Sequence, residues 1–172
     1  SIRNSGFGQS GLALCKNAAQ PGLLGCGLPS PKVFNYRLEE QIQQLIQLKQ
    51  VITACPEVLA GLPIPRKPAE IFGGTGEDVL AGRAQVIDLD GVDVTHAFIE
   101  GAYKTLTLAQ QHHVSTVVLK ENSPSCGSRF IYDGTFSNQK VSAMGVTTAL
   151  LRQHGFNVIS EAAFFELLNP SD

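Results

Sequence analysis

The chain has 172 residues, 43% of them hydrophobic and 16% charged, with a formal net charge of −2. That length builds one domain with a sizeable core rather than two, so residues 1–172 are expected to form a single domain, with 1–10 a poorly ordered polar extension. The charge balance leaves no basic surface for nucleic acid, and no apolar run is long enough to cross a bilayer.

Four cysteines are present, and the first residues lack the charged, apolar and small-residue order of a secretion signal. Together these point to a reducing, cytoplasmic setting, and so to metal binding or catalysis rather than disulfides. In chain order, Gly11-Leu12-Ala13-Leu14-Cys15 reads as a short first strand ending in Cys15. A Gly- and Pro-rich loop from Lys16 to Lys32 carries Cys26. From Asn35 to Lys49, Leu38, Ile42, Leu45 and Ile46 recur at helical spacing among Gln and Glu. Val51-Ile52-Thr53-Ala54 reads as a buried strand, and it too ends at a cysteine, Cys55.

Cys55 to Gly74 contains Pro56, Pro63, Pro65 and Pro68, and regular structure is not expected there. A loop of that length in a compact domain is uncommon unless functional, and it carries Glu57, Arg66 and Glu70. Ala84 to Asp88 reads as a strand. Asp93-Val94-Thr95 opens a long helix with Thr95 as its expected N-cap and Phe98, Ala102, Leu106 and Ala109 as its apolar face. His112 and His113 fall near that helix's end, where solvated terminal residues are the expectation rather than ligands.

The β-branched run Val114 to Leu119 reads as a buried strand, and it delivers the chain into Lys120-Glu121-Asn122-Ser123-Pro124-Ser125-Cys126-Gly127-Ser128. Phe130 to Tyr132 is a short strand before an Asp133-Gly134 turn. Gly145 to His154 is a helix stopped by Gly155. Phe156 to Ser160 is a last strand, and Glu161 to Leu168 a last helix. The alternation of strand and helix argues an α/β fold: a single three-layer, Rossmann-like domain with a mainly parallel sheet and helices on both faces.

Cys15, Cys55 and Cys126 each follow an expected strand, and in a parallel sheet such strand ends share one edge. The spacings are long and no Cys-x-x-Cys pair occurs, so a zinc finger is excluded. Three converging thiolates with no fourth protein ligand suit an iron–sulfur cluster with one open iron, or a catalytic zinc that keeps a water. The plain alternative is a set of separate core thiols, since Cys is among the most buried residue types.

The segment Cys55 to Ile71, CPEVLAGLPIPRKPAEI, resembles the signature loop of the bacterial thiouracil desulfidase family. Asp90-Gly91-Val92-Asp93-Val94-Thr95, Leu119 to Ser128, Ile131 to Phe136 and Gly145 to Leu151 resemble further motifs of that family in order. The resemblance implies a 4Fe–4S cluster held by three cysteines with the fourth iron open. It also implies removal of sulfur from a thiolated pyrimidine such as 2-thiouracil, giving uracil and hydrogen sulfide. Cys55 and Cys126 match two of the ligands. The first third departs from the family: its Cys-Leu-Leu-Gly is missing, and Gly22 precedes Leu23-Leu24-Gly25. Cys15 and Cys26 are the two candidates for the third ligand, with Cys15 favoured because it ends an apolar strand.

Within that resemblance Glu57, two residues past a ligand, and Ser123, on the other ligand loop, are the catalytic candidates for moving protons. Ser125, Arg66 and Lys120 are the candidates for holding substrate, although an Arg66–Glu70 ion pair is the blander expectation. Two other functions compete: a zinc-dependent hydrolase built on the same cysteines, and a non-catalytic module that binds a thiolated base or sulfide. A dinucleotide-binding enzyme is disfavoured, because Gly73-Gly74-Thr75-Gly76 lacks the full fingerprint and follows no evident strand.

Overall fold

The structure is a computed structural model and describes residues 12–14, 40, 44, 47, 51–63, 66–114 and 116–170. Four strands form a parallel sheet: β1 (Leu12–Leu14), β2 (Val51–Thr53), β5 (Thr116–Leu119) and β8 (Asn157–Ser160), in the order β2-β1-β5-β8. All four residues of β5 are buried, as expected of an interior parallel strand covered on both sides. The register sets Leu14 of β1 opposite both Thr53 and Val118, so three strands finish level. The residues that follow include Cys15, Cys55 and the Cys126 loop. Cys15 and Cys26 lie outside the described residues.

The remaining strands form two antiparallel pairs, β3 (Ala69–Phe72) with β4 (Gln85–Asp88), and β6 (Phe130–Tyr132) with β7 (Lys140–Ser142). The helices are α1 (Pro56–Leu59), α2 (Gly76–Leu80), α3 (Thr95–Gln111), α4 (Val146–Gln153) and α5 (Glu161–Leu168). Positions 40, 44 and 47 are also helical, and Glu40, Gln44 and Gln47 are exposed; the rest of the helix expected over 35–49 lies outside the described residues. The core joins Phe98, Ala102 and Leu106 of α3 to Val117, Leu119, Ile71, Val86, Leu150 and Val158. The expected apolar face of α3 is therefore buried in full.

Several expectations need correction. The Pro-rich stretch after Cys55 is not irregular throughout. Pro56 occupies the first turn of α1, where a missing N–H costs nothing, and β3 begins immediately after Pro68. The strand at 85–88 belongs to an antiparallel pair rather than the parallel sheet, because its partner β3 runs against it. The same β3 precedes the Gly73-Gly74-Thr75-Gly76 turn, so that turn does follow a strand. It opens a five-residue helix through a capping box between Thr75 and Asp78. Thr95 is not an N-cap: Val94 holds that position, and the Thr95 hydroxyl accepts the Val86 N–H at 2.9 Å, tying α3 to β4. Strand β7 was not foreseen. By contrast, Gly155 has φ +85° after the cap residue His154, as the C′ position requires, and His112 and His113 end α3 exposed. The architecture is thus mixed α/β around a small parallel sheet.

Candidate metal centre

Two chain segments build the centre, each leaving the carboxyl edge of a parallel strand. The first leaves β2. Cys55 is the N-cap of α1, extended at φ −122° and ψ 118°, and its carbonyl accepts the Leu59 N–H at 2.9 Å. Helix α1 is seated by α3. A side chain at Gly101 would collide with the Pro56 carbonyl, and Lys104 Nζ donates to the Leu59 carbonyl at 3.1 Å. Glycine at 101 therefore permits the close approach that sets the Cys55 position.

The second segment leaves β5 and turns at once, with Asn122 in the left-handed region at φ 73°. The Ser123 hydroxyl accepts the N–H groups of Ser125 and Cys126, at 3.1 and 3.3 Å, and so closes the turn around Cys126. The loop is then docked on α4. The Val146 N–H donates to the Pro124 carbonyl at 2.8 Å, the Thr147 N–H to the Ser125 carbonyl at 2.9 Å, and the Thr148 hydroxyl to the Cys126 carbonyl at 3.0 Å. Gly145 lies flat against this loop, where a Cβ would strike the backbone of Ser125. The Glu121 carboxylate clamps the exit. It accepts the Ser128 N–H and hydroxyl and the N–H groups of Arg129 and Phe130, all between 2.6 and 2.9 Å. Burial alone would raise that carboxyl, but the bonds from Phe130, Ser128 and Arg129 outweigh it and hold it below the usual range.

Between the segments sits Glu57, a carboxylate only 6% exposed. Its Oε2 pairs with Arg66 Nε, and its Oε1 accepts the Ser123 hydroxyl at 3.5 Å, a long bond. Arg66 also points Nη2 at the Cys55 sulfur, 3.8 Å away. Arg66 therefore pairs with Glu57 and not with Glu70, whose carboxylate instead accepts the Gly134 and Phe136 N–H groups. Glu57 is closer in space because β3 carries Glu70 away from the strand ends. Burial raises the Glu57 carboxyl above its ordinary value, against the pull of Arg66, Ser123 and Lys120.

Both thiols are raised as well, chiefly by burial. At Cys126, which has no exposed surface, the charges of Cys55 and Glu57 add to the effect. Cys126 thus feels the charge of Cys55. The hydroxyls of Ser125 and Ser123 lie within hydrogen-bond reach of the Cys126 sulfur. Ser125 is 1% exposed and its hydroxyl also meets Thr147 Oγ1 at 2.7 Å. Lys120 is half-buried, and its ammonium faces Glu161, Cys126 and Glu57. Burial lowers its pKa against their pull. On the far side of Lys120, burial pushes the Glu161 carboxyl up to about 7.

The structure therefore brings together Cys55, Cys126, Glu57, Ser123, Ser125, Arg66 and Lys120. The clamp by Glu121 and the contributions of Thr147 and Thr148 were not foreseen. Among the described residues no three His, Cys, Asp or Glu side chains gather into a metal-binding group. The donor chemistry nevertheless fits a thiophilic cofactor. Two buried thiols, with the Cys55 charge adding to the rise at Cys126, would both ionise only against a nearby positive charge, and thiolates favour soft metals and iron–sulfur clusters.

These features define an α/β protein with paired buried thiols and a buried carboxylate at the carboxyl edge of a parallel sheet. Its sequence matches the 2-thiouracil desulfurase family over residues 32–163, and the chain belongs to that family. The Bacillus subtilis (strain 168) protein YbbK, described as uncharacterized, is 52% identical over 134 residues, spanning 78% of this chain and 89% of its own. The solved structure of the [4Fe-4S]-dependent thiouracil desulfidase TudS is similar at a TM-score of 0.68 and 34% identity, covering 92% of this chain and 94% of that one. Among the described residues no helix is long and apolar enough to cross a membrane.

Proposed function

We propose that the chain is an iron–sulfur desulfidase that converts a thiolated pyrimidine such as 2-thiouracil, with water, into uracil and hydrogen sulfide. Membership of the 2-thiouracil desulfurase family and the likeness to TudS support this reading. The observation that carries it is the meeting of the Cys55 and Cys126 thiols beside a buried Glu57 that bridges the two ligand segments. Cys55 and Cys126 would hold the cluster, with Cys15 as third ligand because β1, which ends one residue before it, lies between β2 and β5. When bound, a cluster with one open iron supplies a soft Lewis acid for the thiocarbonyl sulfur.

The chain's own residues do the rest. Glu57, raised by burial and steadied by Arg66, takes a proton from the water that attacks the ring carbon. Ser123 stands between Glu57 and the Cys126 loop, with one hydroxyl proton to share, and passes a proton toward the departing sulfur. Lys120 offers an ammonium to the charge that builds on the thiocarbonyl group. Ser125 holds the Cys126 sulfur in place. No electrons are gained or lost overall: water supplies the oxygen of uracil and both hydrogens of hydrogen sulfide. We further read the sheet and its helices as a three-layer, Rossmann-like arrangement, supported by the packing of α5 on β5 and β8, and the setting as the reducing cytoplasm.

The test is anaerobic reconstitution with iron and sulfide, followed by 2-thiouracil loss and sulfide release, with Cys126→Ser as control. A coloured protein that forms uracil, and a colourless, inactive variant, are the expected results. A colourless protein that retains zinc and releases no sulfide would overturn the reading.

A further inference from the structure

Glu161 has no part in the chemistry above, yet it stands at the edge of the same site. Strands β5 and β8 run side by side with Leu119 opposite Ser160, so Lys120 and Glu161 are the first residues beyond the two strands on one edge. Glu161 opens α5 but does not cap it; the Ser160 hydroxyl accepts the Ala163 N–H and fills that role. Glu161 Oε1 is buried and accepts no hydrogen bond among the described residues. A buried, unbonded carboxylate oxygen costs stability and calls for a compensating role. Among the described residues the charged group that acts on Glu161 is Lys120, whose ammonium also faces Cys126 and Glu57. An ammonium on a flexible four-carbon stem has no preferred direction of its own. A shift of that ammonium toward Glu57 would neutralise the proposed base.

We propose that Glu161 is a positioning residue: its carboxylate anchors the Lys120 ammonium from behind, keeping it beside the Cys55–Cys126 pair and off Glu57. The inference rests on the site reading given above. It gives the unbonded oxygen a purpose, and it places the second acidic group of the site where it never touches substrate.

The test uses reconstituted wild-type enzyme, Glu161→Gln, Lys120→Met and the double variant at about pH 8, above the Glu161 carboxyl's value of about 7, where that group is mostly ionised. Glu161→Gln should keep its full iron and sulfide content and lower kcat/KM for 2-thiouracil about tenfold. In the Lys120→Met background the same change should alter kcat/KM by less than about twofold, since coupled residues are non-additive. A second arm needs no turnover: acetic anhydride labelling of Lys120, read by mass spectrometry, should run several-fold faster in Glu161→Gln, because the ammonium has lost its anion. Equal losses in both backgrounds, loss of iron in Glu161→Gln, or unchanged Lys120 labelling would each overturn the proposal. A wild type that releases no sulfide would instead sink the desulfidase reading, and the labelling arm would still decide whether Glu161 holds Lys120.

Discussion

Cys126 sits in a loop whose carbonyls are bonded to α4 and whose exit is clamped by Glu121, whereas Cys55 sits at the head of a four-residue helix among charged side chains. Around Cys126 the hydroxyls of Ser123, Ser125 and Thr148 are committed to partners within the site. Around Cys55 the partners are Arg66, a permanent cation, and Glu57, a carboxylate that can exchange a proton. One strand end supplies a fixed scaffold and the other supplies reactive groups, with the long Ser123–Glu57 bond joining them. The difference teaches that, in the proposed centre, the two cysteines are held by unlike surroundings. Backbone hydrogen bonds position one sulfur, while a buried charged pair lies beside the other.

The sharpest way to break this contrast is Glu121→Ala. It strips the Cys126 loop of four bonds to one carboxylate. We expect a loss of about 3 kcal/mol, read as a drop of roughly 6–12 °C in the thermal midpoint. An unchanged midpoint would show that the loop does not depend on its clamp.

On the other side, Glu57→Gln should leave cluster content near wild type and lower kcat about 100-fold, the usual loss for a proton-transfer group. Stopped-flow or steady-state sulfide release measures it. If iron content collapses together with rate, Glu57 belongs to the scaffold and the contrast fails.

Glu161 offers a pH test on the scaffold side. Burial holds its carboxyl at about 7 in the folded protein, against an ordinary 4.5. Between those values the folded protein holds a proton that the unfolded chain has lost. Stability from this group is therefore present below about 4.5 and is lost as pH rises toward 7, by about 3 kcal/mol. Urea unfolding across that window should show wild type declining relative to Glu161→Gln. Parallel curves would contradict the burial that raises the carboxyl. The smallest effect is expected of Ser125→Ala. It removes the 2.7 Å bond to Thr147 and should cost about 1 kcal/mol in a denaturant titration, with cluster content largely retained.

Much of this site was legible before any coordinates. The apolar runs that precede Cys15, Cys55 and the Cys126 loop have β-branched or aliphatic character, and the parallel register brings the ends of their strands within one residue of each other, with Cys15 itself outside the described residues. What stayed hidden depends on contacts between distant segments. Glu57 and Glu70 are equally plausible partners for Arg66 in sequence, and only the direction of β3 separates them. Strand 85–88 has an ordinary strand pattern, which says nothing of whether its neighbour is parallel. The Glu121 clamp uses backbone N–H groups, which carry no sequence signal. Glu161 reads as a routine first-turn acid until the register of β8 sets it beside Lys120.

The central claim is that three cysteines hold a cluster whose remaining iron receives the thiocarbonyl sulfur. Mössbauer spectroscopy of iron-57-reconstituted protein, recorded with and without 2-thiouracil, addresses it most directly. The account predicts that one iron in four is distinct and that substrate alters that iron alone. Four equivalent irons, or a spectrum indifferent to substrate, would contradict it.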